Sequence, residues 1–146
     1  MKGDPVYVML VEDNVDHAEL VMRELQDHRV ANRIIHLRDG QAALDCLLNR
    51  EQYTDSESFP RPDVILLDLR LPKVDGLQVL RTIKESETLR TIPVVVLTTS
   101  NTERDLTQAY QYHANSYIVK PVNYTTFREL MNDLGFYWMV WNARPD

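Results

Sequence analysis

Three stretches of the chain are apolar at nearly every position: residues 6–11, 63–68 and 93–98, the latter two bounded by Asp63, Asp68, Pro93 and Thr98. A strand with one wet face alternates apolar and polar residues. An unbroken apolar run suits a central parallel strand covered by helices on both sides. Residues 33–37 and 116–119 are shorter, more polar strand candidates. Between them, apolar residues recur at helical spacing. Val15, Ala18, Val21, Met22 and Leu25 form one stripe, and Ala42, Ala43, Leu44, Leu47 and Leu48 a second. Leu77, Val79, Leu80 and Ile83 form a third. Residues 103–112 are polar, with Leu106, Ala109 and Tyr110 on one side, and Phe127, Leu130, Met131 and Leu134 give the last stripe. Thr102 and Asn123 are N-cap candidates. The order is strand–helix five times, which predicts right-handed crossovers and an α/β fold with a doubly wound, five-stranded parallel sheet. The one long connection, residues 49–62, is polar with two prolines and is expected to be a surface loop.

Composition narrows the classes. The chain has 146 residues, 44% hydrophobic and 26% charged, which fits one globular domain spanning residues 1–146. Its core is expected over about 6–134, with an aromatic C-terminal extension at 135–146. The net charge of −6 leaves no global basic surplus for nucleic acid. A single cysteine, Cys46, rules out an intramolecular disulfide or a cysteine-rich zinc site, and its place on an apolar stripe predicts a buried, inert thiol. No apolar run approaches the roughly 20 residues of a membrane helix, and the first run ends in carboxylates rather than a cleavage site. A cytoplasmic protein is expected. His17, His28, His36 and His113 lack metal-ligand spacing and are expected to be structural or surface residues. Phe136, Tyr137, Trp138 and Trp141 are dense enough to predict an association surface.

Ligands of open α/β sheets bind beyond the carboxyl ends of the strands. There the first strand delivers Glu12 and Asp13, the third Asp68, the fourth Thr98, Thr99 and Ser100, and the fifth Lys120 and Pro121. Carboxylates gathered this closely repel, and a hard divalent cation such as magnesium resolves the conflict. Asp13 and Asp68 would be direct ligands, with Glu12 nearby or acting through water. Lys120 and Thr98 suit phosphate oxygens as point charge and hydroxyl donor. These are parts for phosphoryl transfer, with Asp68 the candidate nucleophile.

In these residues the chain resembles a response-regulator receiver domain, the phosphoacceptor half of a two-component system, from Val6 to about Leu134. The family's acidic pair falls on Glu12 and Asp13, its phosphoacceptor on Asp68, and its proline-containing turn on residues 71–76. Its switch hydroxyl falls on Thr98, its switch aromatic on Tyr117, and its lysine–proline pair on Lys120 and Pro121. Thr98 follows Asp68 by 30 residues and Lys120 follows Thr98 by 22, as in the family.

The resemblance implies a flavodoxin-like strand order 2-1-3-4-5 and a Mg2+ ion held by Glu12, Asp13, Asp68 and the backbone carbonyl of Arg70. It implies phosphoryl transfer from a sensor histidine kinase to Asp68, after which Thr98 and Tyr117 move toward the phosphate and remodel the face of the fourth helix, fifth strand and fifth helix. The chain would be a stoichiometric phosphoacceptor, catalysing its own phosphorylation and dephosphorylation, rather than an enzyme. The long loop with Phe59, Pro60, Arg61 and Pro62, the segment 92–100 and the aromatic C-terminus are similar to stand-alone regulators paired with phytochrome kinases. In that group the C-terminal region helps form a homodimer. The segment 121–124 departs from that group's commoner lysine–serine. A downstream protein partner is implied, with no nucleic acid and no membrane.

Other classes fit less well. A dehalogenase-type phosphatase needs an acid two residues after its nucleophile, where Arg70 stands. A flavodoxin-like cofactor binder needs a Gly-, Ser- or Thr-rich first loop, where residues 12–16 are acidic. A receiver-shaped interaction module not controlled by phosphorylation is the remaining alternative, against which Asp68, Thr98 and Lys120 argue.

Overall fold

The computed structural model describes residues 7–27, 33–98, 114, 116–120, 125–126 and 129. The helix expected over 103–112, the caps Thr102 and Asn123, and the aromatic tail lie outside the described residues, and of the helix expected around 127–134 only Glu129 is described, as helical. The strands are β1 (Tyr7–Val11), β2 (Arg33–Leu37), β3 (Val64–Asp68), β4 (Val94–Thr98) and β5 (Ser116–Val119). They form one parallel sheet in the order β2-β1-β3-β4-β5, as expected. The helices α1 (Val15–Asp27), α2 (Gly40–Leu47) and α3 (Gly76–Glu85) follow β1, β2 and β3.

The apolar runs are explained by two cores. Val8 and Leu10 of β1, Val64 and Leu66 of β3, and Val95 and Leu97 of β4 share one cluster with Ala18, Val21 and Leu25 of α1. The intervening residues, Met9, Val11, Ile65, Leu67, Val94 and Val96, join the opposite cluster with Ala43 and Leu44 of α2 and Val79, Leu80 and Ile83 of α3. The three central strands β1, β3 and β4 thus bury both faces, and no position is left for a polar residue until they end. Val15 and Leu48 depart from the expected stripes and are exposed. Val15 opens its helix at the rim, and Leu48 caps the end of α2, so neither faces a core.

The 49–62 connection is not simply a surface loop. It contains a 3-10 turn, Glu51–Tyr53, whose Tyr53 is buried and meets Phe59 edge-on, ring centroids 4.9 Å apart. Asn49, at φ 53°, donates its amide to the carbonyls of Tyr53 and Phe59, which pins the loop across the second core.

Capping fixes where the helices begin. Asn14 Oδ1 accepts the His17 N–H at 3.0 Å, Asp39 Oδ1 the Ala42 N–H at 2.7 Å, and Asp75 Oδ1 those of Leu77 and Gln78 at 2.8 and 3.1 Å. All three N-termini therefore lie at the carboxyl rim of the sheet. Two glycines set how closely they approach it. A Cβ on Gly40 would overlap the Val74 carbonyl, and one on Gly76 would overlap the backbone of Asp68 and Leu69.

Alanine favours helix over glycine by roughly 1 kcal/mol, but overlap with backbone that cannot move aside costs roughly 1–3 kcal/mol. Gly40→Ala and Gly76→Ala should therefore each lower stability in urea denaturation, whereas Gln41→Ala at an exposed helical position should not. Unchanged or higher stability in both glycine variants would contradict the close approach.

Candidate functional site

The carboxyl rim gathers most of the residues expected there. Glu12 follows β1 directly, with its N–H donated to the Leu37 carbonyl at 2.9 Å and its Oε2 accepting the Asn14 N–H at 3.2 Å. Asp68 is the last residue of β3, in register with Leu97 on β4. Its Oδ1 accepts the Arg70 N–H at 2.8 Å. Lys120 follows β5, and its Nζ donates to Asp68 Oδ2 at 2.9 Å and to Glu12 Oε1. Glu12 is fully buried and Asp68 nearly so, while Asp13 is exposed beside them. One carboxylate oxygen from each of the three acids lies within 4.8 Å of the others. Oxygen donors so grouped fit a hard divalent cation.

The electrostatics follow from that crowding. Burial is the largest influence on Glu12, and with the adjacent Asp68 it raises the carboxyl from its ordinary 4.5 to about 7, although Lys120 opposes the shift. Burial also disfavours an ionised Asp68. Hydrogen bonds from Glu12, the Arg70 N–H and Lys120 outweigh it and hold Asp68 below its usual range. For Lys120, burial is outweighed by the two carboxylates, and its pKa is raised. Without a metal ion, and below about pH 7, the proton therefore sits on Glu12, the charge on Asp68 and an ammonium between them.

The rest of the site is less uniform. Thr98 ends β4 opposite Val119 on β5, but its side chain lies outside the described residues, as does Pro121. Tyr117 is half-buried and packs against the α2–α3 core. The Arg70 side chain is exposed. Cys46 is buried, and burial pushes its thiol up to about 11, consistent with an inert role.

Two histidines read from sequence as structural or surface residues belong to the rim. His36 Nε2 lies 2.7 Å from the Glu12 carbonyl, and because a carbonyl only accepts, the ring donates there. It thereby fixes the peptide between Glu12 and Asp13. His17 Nδ1 is 3.1 Å from Lys120 Nζ. The signal for His17 was its place in the first turn of a helix that starts at the rim.

Comparison with known proteins gives a consistent picture. The response regulator receiver domain family matches residues 8–132. The chain is 49% identical over 142 residues to the probable methanogenesis regulatory protein FilR2 of Methanothrix harundinacea, covering 97% of this chain and 89% of that one. It is 40% identical over 135 residues to the response regulator Rcp1 of Synechocystis sp., covering 92% and 90%. Among solved structures, the bacteriophytochrome response regulator AtBRR superposes with a TM-score of 0.83 at 43% identity, covering 93% and 96%. The phosphorylated cyanobacterial phytochrome response regulator RcpA does so at 0.78 and 38%, covering 93% and 95%. The Mn(2+)-bound form of Rcp1 does so at 0.73 and 39%, covering 92% and 95%.

The shifted carboxyls make stability depend on pH in a definite direction. The raised Glu12 favours folding fully below its ordinary 4.5, and that contribution is lost as pH rises through about 7. The lowered Asp68 contributes above its ordinary 3.8 and is lost as pH falls further. In EDTA, stability by urea denaturation should therefore fall from pH 5 to pH 8, by on the order of 2 kcal/mol. Glu12→Gln should flatten the profile. Stability rising over that range would contradict the shared-proton arrangement.

Proposed function

The chain belongs to the response regulator receiver domain family, and on that premise we propose that it accepts a phosphoryl group on Asp68 from a sensor histidine kinase. The observation that carries this reading is the meeting of Asp68, Glu12 and Lys120 at one rim, with Lys120 Nζ 2.9 Å from Asp68 Oδ2. A carboxylate oxygen of Asp68 attacks phosphorus, the P–N bond to the donor imidazole breaks, and a P–O bond to Asp68 forms. The Lys120 ammonium takes up the charge of the phosphoryl oxygens. Glu12, Asp13, Asp68 and the Arg70 carbonyl would hold a Mg2+ ion. When bound, it neutralises the acids and the incoming phosphate. Support for the metal comes from the three grouped carboxylates and from the Mn(2+)-bound form of the related Rcp1.

Phosphorylation adds roughly −1.5 to −2 charge and three acceptor oxygens. Thr98, at the end of the strand beside Asp68, is the hydroxyl proposed to turn toward them, and Tyr117 the ring that follows. Output then passes through a changed surface to a protein partner. The relatives named for phytochrome signalling support a phytochrome-type kinase as donor, and the aromatic segment 135–146 is the proposed homodimer contact. Arg70 is proposed to modulate the lifetime of the phosphate from above. Among the described residues no helix is long and apolar enough to cross a membrane. A cytoplasmic regulator acting as a stoichiometric acceptor, and not as a turnover enzyme, is the reading we adopt.

Incubated with acetyl phosphate and Mg2+, the wild type should acquire an acid-stable, hydroxylamine-labile label that Asp68→Asn and EDTA both abolish. Equal labelling of Asp68→Asn would overturn the assignment, and no label at all would favour a phosphate-independent interaction module. With beryllofluoride and Mg2+, light scattering should show the wild type shifting toward a dimer and Thr98→Ala shifting less. A mass indifferent to the phosphate mimic would refute phosphorylation-dependent pairing.

A further inference from the structure

We propose that His17 is a positioning residue for Lys120, accepting one N–H of its ammonium and so fixing the direction in which that charge faces Asp68. The inference rests on the reading of Asp68 as phosphoacceptor. Among the described residues Lys120 Nζ has three polar neighbours: Glu12 Oε1, Asp68 Oδ2 at 2.9 Å and His17 Nδ1 at 3.1 Å. An ammonium has three N–H bonds and no lone pair. These three contacts suffice to engage all of them, and at the histidine Lys120 donates while Nδ1 accepts. An accepting Nδ1 leaves the ring's own N–H on Nε2. The lysine side chain is 9% exposed, so the ring stands where a water would otherwise complete the ammonium's shell.

The ring is held by a rigid element. The His17 N–H is capped by Asn14, and the next residue, Ala18, is fully buried against the sheet. The three partners also differ in what the reaction does to them. Asp68 gains the phosphoryl group, and Glu12 is among the acids that take up the cation. Among the described partners of Lys120, His17 is the one that neither reacts nor joins the cation's ligands. It can hold the ammonium while the other two bonds are remade, which a carboxylate engaged in the exchange cannot. Positioning of this kind acts on the rate of phosphoryl uptake.

The test uses the full chain and two variants, His17→Leu, which removes the acceptor, and His17→Gln, which offers an amide oxygen. With acetyl phosphate and Mg2+, His17→Leu should label about tenfold more slowly than wild type, the worth of one hydrogen bond to a charged group. His17→Gln should recover most of the rate. In the unphosphorylated, metal-free protein, the Lys120 ammonium should give a protected 1H–15N resonance in wild type and His17→Gln that is lost in His17→Leu. Wild-type labelling by His17→Leu would overturn the proposal. So would equal slowing of both variants, since the acceptor would then not be what matters. If the wild type itself takes no label, the Asp68 reading falls, and the ammonium resonance alone decides the contact. Its persistence in His17→Leu would refute it.

Discussion

Two carboxyl groups, Glu12 and Asp68, share one buried ammonium, and the site depends on that imbalance. Neither acid can be solvated where it sits, and one lysine cannot neutralise both along with the neighbouring Asp13. The crowding raises Glu12 to about 7 and lowers Asp68, so that below neutral pH the proton favours Glu12 and the charge Asp68. A carboxylate is thereby held ionised inside the protein, paired with a buried ammonium. The same imbalance prepares a place for a divalent ion, because an ion that displaces the proton restores both carboxylates at once.

The architecture exists at the right spot because the central strands have nothing polar to offer before their ends. Met9, Val11, Ile65 and Leu67 fill one core while Val8, Leu10, Val64 and Leu66 fill the other. The first acidic side chains to follow β1 and to end β3 emerge together at the rim. Asn14, Asp39 and Asp75 then start a helix immediately beyond the rim. Gly76 lets α3 press on the Asp68 backbone, so Asp68 is braced from behind as well as paired in front.

Much of this was legible in the sequence because it rests on repetition and charge. The strands declare themselves by apolar runs, and the observed starts of β3 and β4 are trimmed by only one residue, at Asp63 and Pro93. The acids and Lys120 could be assigned to one rim because parallel strands end on one side. What escaped was contact between side chains with no pattern of their own. A lone histidine carries no spacing signal, so His17 and His36 became visible only once α1 and β2 were placed. Tyr53 and Phe59 sit in a polar stretch whose composition hides their pairing across the second core. Val15 shares the helical period yet faces water, because a period fixes a stripe but not where that stripe stops.

Proton release on metal binding tests the shared proton most directly. Calorimetric titration of Mg2+ at pH 6, repeated in buffers of different ionisation enthalpy, counts the protons that leave as the ion enters. A cation replacing the Glu12 proton should release close to one proton per ion at pH 6 and almost none at pH 8.5. The release at pH 6 should also vanish in Glu12→Gln. Binding with no proton release at pH 6 in the wild type would mean that Glu12 is already ionised beside Asp68, and the central claim would be wrong.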